Sequence, residues 1–265
     1  VSNLALAPVN LKPPLKWAGG KRWLVPHLQP FWELHQHRRF VEPFVGGLAA
    51  SLGLMPQRAL LNDNNFHLIS FYRWVQEGHQ ISIEMRNERS LYYQHRDRFN
   101  EYARAGIGDG EAAELFYYLN RTGYNGLCRF NKSGEFNVPF GSYKKINYLT
   151  DFSPYRPILA AWQFTDTDFE AIPLEKGDFI YADPPYDVEF VQYSRHGFTW
   201  DDQVRLAEWL AKHDGPVVLS NQATDRIEHL YRKLGFDLRF LSAPRRISCN
   251  GDRRPAVEVL ATRRV

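Results

Sequence analysis

RRFVEPFVGGLAASLGLMPQRALLNDNN, residues 38–65, carries a strand, a glycine turn, a helix and a second strand in that order. Arg39 to Phe44 reads as the first strand, and it runs into Gly46-Gly47. Small and apolar residues then make a helix from Leu48 to Met55, which Pro56 stops because proline has no N–H to donate. RALLNDNN is a second strand ending at Asp63, and Asn64 or Asn65 is placed to cap the helix HLISFYRWVQE. This order opens a doubly wound α/β sheet, with strands whose C-terminal ends carry ligands.

Working outward, the rhythm breaks after Gly78. The stretch to Asn120 has helical period and is polar and rich in Arg and Tyr; RTGYNGLCRFNKSGEFNVPFGSYKK (121–145) follows, dense in Gly, Asn and basic residues. KSGEF, with Ser133-Gly134 at its tip, is a hairpin turn. Residues 78–150 are therefore read as an inserted, mainly helical module with a β-hairpin, and 1–77 with 151–265 as the main domain. The α/β pattern resumes after Pro154 with a strand ending near Thr165 and another, in GDFIYADPPY, stopping at Asp183. DDQVRLAEWLAKH is an amphipathic helix, GPVVLSN a buried strand, and TDRIEHLYRKLGF a helix closed by Gly235. FDLRFLSAPRR and AVEVLATRRV suit an antiparallel pair at the sheet edge.

Of 265 residues, 44% are hydrophobic and 24% charged, which excludes a disordered chain and supports a packed core. A net charge of +3 permits a polyanionic partner without demanding one. Cys128 and Cys249 stand far apart, so neither a disulfide framework nor a zinc spacing is present, and a reducing cytoplasm is expected. The nine histidines form no metal-ligand motif, so no metal is expected. VSNLALAPVNLKPP, at the start, reads as neither signal peptide nor membrane span.

Chemistry concentrates in Asp183-Pro184-Pro185-Tyr186. Two prolines remove two N–H donors, so this turn presents carbonyl oxygens. An Asp carboxylate beside a proline carbonyl is an acceptor pair for the two hydrogens of an exocyclic NH2, and Tyr186 can stack on the ring that carries it. The plain alternative is a strand end stiffened by prolines. Glu42-Pro43-Phe44 leads into Gly46-Gly47, where the backbone can approach a ligand without a Cβ clash. Asp63 lies at a strand end, roughly twenty residues past that turn, where a carboxylate commonly takes ribose hydroxyls; its alternative is helix capping. Asp168 can accept from an adenine amino group while Phe169 stacks on it, or the two can be an N-cap and a core ring. Lys16-Trp17-Ala18-Gly19-Gly20-Lys21 offers lysines and free N–H groups to a carboxylate or phosphate, but it is not a Walker A loop. The arginines from Arg86 to Arg104 are interleaved with acids and read as a solvated helical face.

Together, LKWAGGK (15–21), VEPFVGG (41–47), ND (62–63), LNRTGYNGLCRFNKSGEFNVPFG (119–141), DPPY (183–186), LSN (219–221) and RRISCNG (245–251) resemble the Dam-type, alpha-class (D12) adenine-N6 DNA methyltransferases, over nearly the whole chain and in the family's order. The resemblance implies a Rossmann-like S-adenosylmethionine-dependent methyltransferase sheet with helices on both faces, and methylation of adenine N6 in double-stranded DNA by base flipping, within GATC. It implies that Trp17, Ala18, Gly19, Gly20, Lys21, Glu42, Pro43, Phe44, Gly46, Gly47, Asp63, Asp168, Phe169 and Asp183 meet S-adenosylmethionine, or its product S-adenosylhomocysteine. Asp183, Pro184, Pro185 and Tyr186 would grip the flipped adenine. Lys16, Arg121, Tyr124, Asn125, Gly126, Leu127, Arg129, Asn137, Pro139, Tyr143 and Lys144 would meet DNA. Arg129 suits bidentate recognition of guanine, and Leu127 and Pro139 suit a thymine methyl; the plain alternatives are a surface ion pair and loop packing, and it is their clustering in one polar module that favours readout. A monomer in the cytoplasm is expected, on the nucleoid of a bacterium or encoded by a phage, with or without a restriction partner. Two departures stand out: Leu48 replaces the second glycine of the family's FxGxG turn, and Ser142 stands where several relatives carry Arg. The competing readings are a methyltransferase for another planar NH2 (cytosine N4, RNA, a glutamine side chain) and a sequence-specific DNA binder without catalysis.

Overall fold

The computed structural model describes residues 11–187, 197–243 and 256–265. The RRISCNG motif, Cys249 and the first ten residues lie outside the described residues. The chain divides into two compact units: residues 1–20, 46–55 and 65–166 form the first, and residues 21–45, 56–64 and 167–265 the second. The segment 78–150 lies wholly in the first unit.

The second unit opens with helix α1 (Val25–Glu33), whose Pro26 and Pro30 mask it in the sequence. Pro26 falls in the first turn, where a missing N–H costs nothing, and Leu28, Phe31 and Trp32 are buried. β1 (Phe40–Glu42) follows, shorter than the Arg39–Phe44 expected. α2 (Ala49–Leu54) belongs to the first unit, and β2 (Ala59–Asn62) to the second. In the first unit come α3 (Phe66–Glu77), α4 (Arg89–Arg104), α5 (Glu111–Thr122), the short α6 (Arg156–Leu159) and β3 (Trp162–Thr165). The second unit closes with β4 (Phe179–Ala182), α7 (Trp200–Lys212), β5 (Val217–Gln222), α8 (Asp225–Lys233), β6 (Asp237–Ala243) and β7 (Ala256–Arg263).

Strands of the second unit run in the order β2-β1-β4-β5-β7-β6. The first four are parallel; β7 is antiparallel to both β5 and β6. Phe179, Ile180, Tyr181 and Ala182 of β4 are fully buried, as a strand covered on both faces requires. Burying each large side chain there contributes roughly 1.5–3 kcal/mol. At the N-terminal edge, Arg39 donates to both carboxylate oxygens of Asp178, at 3.0 and 2.7 Å, and this pair pins β1 against β4. Capping follows the sequence: Thr199 and Asp202 form a capping box on α7, and Thr224 caps α8.

The first unit is built on helices, with Phe71, Tyr92, Phe99, Phe116, Tyr117 and Tyr118 in its core. Asn65 caps α3, accepting from Leu68 N at 3.2 Å. Arg86, before α4, pairs with Glu84 and Glu88, and Arg98 of α4 with Glu101, in keeping with the solvated face read from the sequence.

Candidate functional site

β4 delivers Asp183 to the C-terminal edge of the parallel strands of the second unit. Oδ1 of Asp183 accepts from Ser220 Oγ at 2.7 Å and lies 3.2 Å from Lys21 Nζ. The Asp183 side chain keeps 18% of its exposure, so it faces an opening rather than sealed core. Burial pushes its carboxyl up to about 6, against the Lys21 ammonium and the Ser220 hydroxyl, which hold it down.

Lys21 is almost entirely buried and ties the site together. Its ammonium bonds to the Tyr186 hydroxyl, sits 4.1 Å from the centre of the Tyr186 ring and lies 3.5 Å from Glu258. Tyr186 donates its hydroxyl proton to Glu258 Oε2 at 2.6 Å. Burial and the neighbouring carboxylates of Asp183 and Glu258 keep that hydroxyl protonated. Glu258 reaches this edge because β7 is antiparallel: it starts where β5 ends, with Glu258 opposite Gln222. No local motif surrounds Glu258, and only strand pairing brings it here.

The proline turn is locked from below. Gln203 donates to the Pro185 carbonyl at 2.8 Å, and Asn221 in turn donates to Gln203 at 3.0 Å. Asp187, at the end of the turn, accepts from both Arg226 Nε and Nη2 and from Thr224. Among the described residues, no donor takes the Pro184 carbonyl.

Phe44, just past β1, meets Phe169 and Phe198 with ring centres 5.8 and 5.5 Å away. With Asn62, Asn64, Thr167 and Asp168 these rings line a cavity of about 130 Å³ in the second unit. The plainer roles of the Asp168-Phe169 pair are present: Asp168 caps a short turn through Glu170 N, and Phe169 is buried. Arg205, which sequence reading did not single out, donates to Asp168 at 2.8 Å and covers the Phe169 ring at 4.5 Å. Asp63 follows β2 at the same edge, and the helix cap it might have supplied comes from Asn65.

In the first unit, Gly46 and Gly47 admit Trp17. A Cβ on Gly46 would lie 2.7 Å from the indole nitrogen, and one on Gly47 2.8 Å from Trp17 Cβ. Tyr72 donates to the Gly46 carbonyl at 2.6 Å. Leu48 is fully buried with φ +64°, and Ser142 has φ +50°, so both departures from the family pattern fall at left-handed positions. Ala18, Gly19 and Gly20 form an exposed turn.

Residues 122–141 fold back on themselves: Gly141 N bonds to Thr122 O, Tyr124 N to Pro139 O, Asn137 N to Arg129 O and Asn131 N to Glu135 O. This ladder puts Tyr124, Asn125, Leu127, Arg129 and Pro139 at the surface, with Tyr124 51% exposed. Asn137 holds Arg129, accepting from Nε at 2.7 Å and from Nη2 at 3.3 Å through its carbonyl. Among the described residues, three of its five guanidinium N–H groups take no partner. Lys16 lies over the Tyr143 ring at 3.7 Å and donates to the Arg121 carbonyl; burial and nearby Arg121 lower its pKa to about 8. Arg121 donates to the carbonyls of Pro14 and Asn147. Lys144 is exposed. Among the described residues no cluster of acidic, His and Cys side chains could hold a metal ion, and no helix is long and apolar enough to cross a membrane.

Residues 17–243 match the profile of a family described as D12 class N6 adenine-specific DNA methyltransferase. The chain is similar to a DNA adenine methylase of Vibrio cholerae, 37% identical over 93% of both chains. It is also similar to the retron Ec67 DNA adenine methylase of Escherichia coli, 35% identical over 93% of this chain and 90% of the other. A third relative is the type II methyltransferase M1.LlaDCHI of Lactococcus lactis, 34% identical over 84% and 86% of the two chains.

Proposed function

Because the chain belongs to the D12 class of N6 adenine-specific DNA methyltransferases, we propose how its own residues carry out the methylation of adenine in DNA. The acceptors for N6 are the Asp183 carboxylate and the Pro184 carbonyl. Lys21 and Ser220 occupy Oδ1 of Asp183, which orients Oδ2 towards the base. Tyr186 stacks on the flipped adenine. Its hydroxyl, fixed by Glu258 and Lys21, sets the tilt of the ring. Flipping costs a few kcal/mol, repaid by these contacts.

S-adenosylmethionine, when bound, supplies an electrophilic methyl group on sulfur. The aromatic cavity of Phe44, Phe169 and Phe198, with the Asp168 carboxylate at its rim, suits the adenosine part, and Asp63, next after β2, is assigned to the ribose. Trp17 to Lys21, with Glu42, Pro43, Gly46 and Gly47, are assigned to the rest. Asp183 and the Pro184 carbonyl would hold N6 with its lone pair towards that methyl group, which would pass to nitrogen as its bond to sulfur breaks. The cationic nitrogen then gives its proton to the Asp183 carboxylate. Positioning and fixed electrostatics account for the rate.

Readout falls to Tyr124, Asn125, Gly126, Leu127, Arg129, Asn137, Pro139, Lys16, Tyr143 and Lys144, with Arg121 bracing them, on double-stranded GATC. A single copy of the chain suffices, working with DNA in the cytoplasm.

One observation carries the reading: a partly open carboxylate, held by a lysine and a serine at the end of β4, stands beside a proline carbonyl that no described donor takes. Asp183→Ala should abolish methyl transfer while changing affinity for the target duplex by no more than a few fold. The wild-type site comes from methylating a random-sequence duplex library and mapping the modified adenines. A variant that retains most of its turnover would remove Asp183 from the chemistry, and a map without GATC would overturn the assigned site.

A further inference from the structure

The LNRTGYNG run holds a buried residue, Asn120, that neither the catalytic nor the reading role uses. Its amide oxygen accepts from Lys16 N at 2.8 Å, and its amide nitrogen donates to Lys16 O at 2.7 Å and to Gly126 O at 3.4 Å. Asn120 thus acts as a short strand, satisfying both main-chain groups of Lys16. The contact is close-packed as well: a Cβ on Gly126 would fall 2.4 Å from Lys16 Cβ. Gly126 lies inside the exposed loop of Tyr124, Leu127 and Arg129. Lys16 is bonded in the chain to Trp17, whose indole fills the space above Gly46 and Gly47.

We infer that Asn120 is a positioning residue coupling DNA readout to cofactor binding, through one connected path from the loop at Gly126 to Lys16, Trp17 and the Gly46-Gly47 turn. This rests on the assignment of loop 124–129 to DNA and of Trp17 and the glycine turn to the cofactor. The physical argument is that the path has no slack. Asn120 holds both main-chain groups of Lys16 and donates to Gly126 O, and the close packing of Gly126 on Lys16 leaves no room for one to shift without the other. A loop ordered by DNA therefore orders Lys16 and Trp17. By linkage, each ligand strengthens the binding of the other by the same factor.

The test is titration calorimetry of the full chain with S-adenosylhomocysteine, alone and with a duplex carrying the mapped site. Wild-type protein should bind S-adenosylhomocysteine on the order of tenfold tighter in the presence of the duplex. Asn120→Asp is isosteric and keeps the acceptor for Lys16 N, but sets a carboxylate against the carbonyls of Lys16 and Gly126. It should bind each ligand alone within about threefold of wild type while the ratio collapses towards one. Asn120→Ala should do the same. A wild-type ratio of one overturns the inference. So does a ratio that survives in Asn120→Asp, or an equal loss of both ligands with a lowered melting temperature, which marks a merely structural role. Leu127→Ala and Trp17→Ala test the reading separately: if they leave duplex and S-adenosylhomocysteine affinity untouched, those assignments fail whatever Asn120 does.

Discussion

Around Asp183, side chains hold side chains; along residues 122–141, buried side chains hold the main chain. Lys21, Ser220, Tyr186 and Glu258 bond to Asp183 or to one another, and their functional groups are largely committed. Along residues 122–141, Asn100 exchanges two bonds with the main chain of Phe136, and Tyr92 donates to the Val138 carbonyl at 2.8 Å. Fixing the backbone this way leaves Tyr124, Leu127 and Arg129 pointing outward. On the proposed assignment of the two regions, the difference follows from the task. Chemistry needs a carboxylate of defined charge and position, and that takes neighbouring charges. Reading needs side-chain edges free for another molecule, on a backbone that does not yield.

The comparison can be broken first at Arg129. Arg129→Ala should lower discrimination at one guanine of the site by about 5- to 150-fold, from about 1–3 kcal/mol per bidentate contact, with kcat at saturating DNA little changed. Methylation rates on a panel of single-base variants of the site measure this. A fall in kcat equal to that in kcat/KM would mean that the two regions are not separable.

A smaller effect sharpens the catalytic side. Methyl transfer needs Asp183 ionised, and its carboxyl titrates near 6, so kcat/KM should fall below about pH 6 with a one-proton slope. Ser220 holds that value down, so Ser220→Ala should move the acid limb to higher pH. A limb that stays in place in the variant would assign the titration to another group.

The smallest expected effect tests the backbone at Leu48. The left-handed conformation costs a non-glycine residue about 1 kcal/mol, while the buried side chain returns several. Both Leu48→Ala and Leu48→Gly should destabilise, but the glycine variant should be the more stable of the two by about 1 kcal/mol in urea unfolding. The reverse order would show that the position carries no strain.

Much of this was legible from local pattern. β1, β2, β4 and β5, which end at Glu42, Asn62, Ala182 and Gln222, announce themselves by short apolar runs, the start of α3 by Asn64-Asn65 and the end of α8 by Gly235. The hairpin tip at Ser133-Gly134 was visible for the same reason. α1 was not, because prolines that are tolerated in a first turn look like breakers. Asp168 and Phe169 show how a residue can fill its plain role and still line a cavity.

By itself the sequence determined the identity and order of the strand-end residues, since hydrophobic period, glycine and proline act over a few neighbours. Only the tertiary structure decided that Lys21 and Glu258, at opposite ends of the chain, meet at Asp183 and Tyr186, and that Asn120 holds Lys16. Those meetings depend on the antiparallel entry of β7 and on the packing of α5, and a contact between residues a hundred or more positions apart leaves no periodic trace in a single chain.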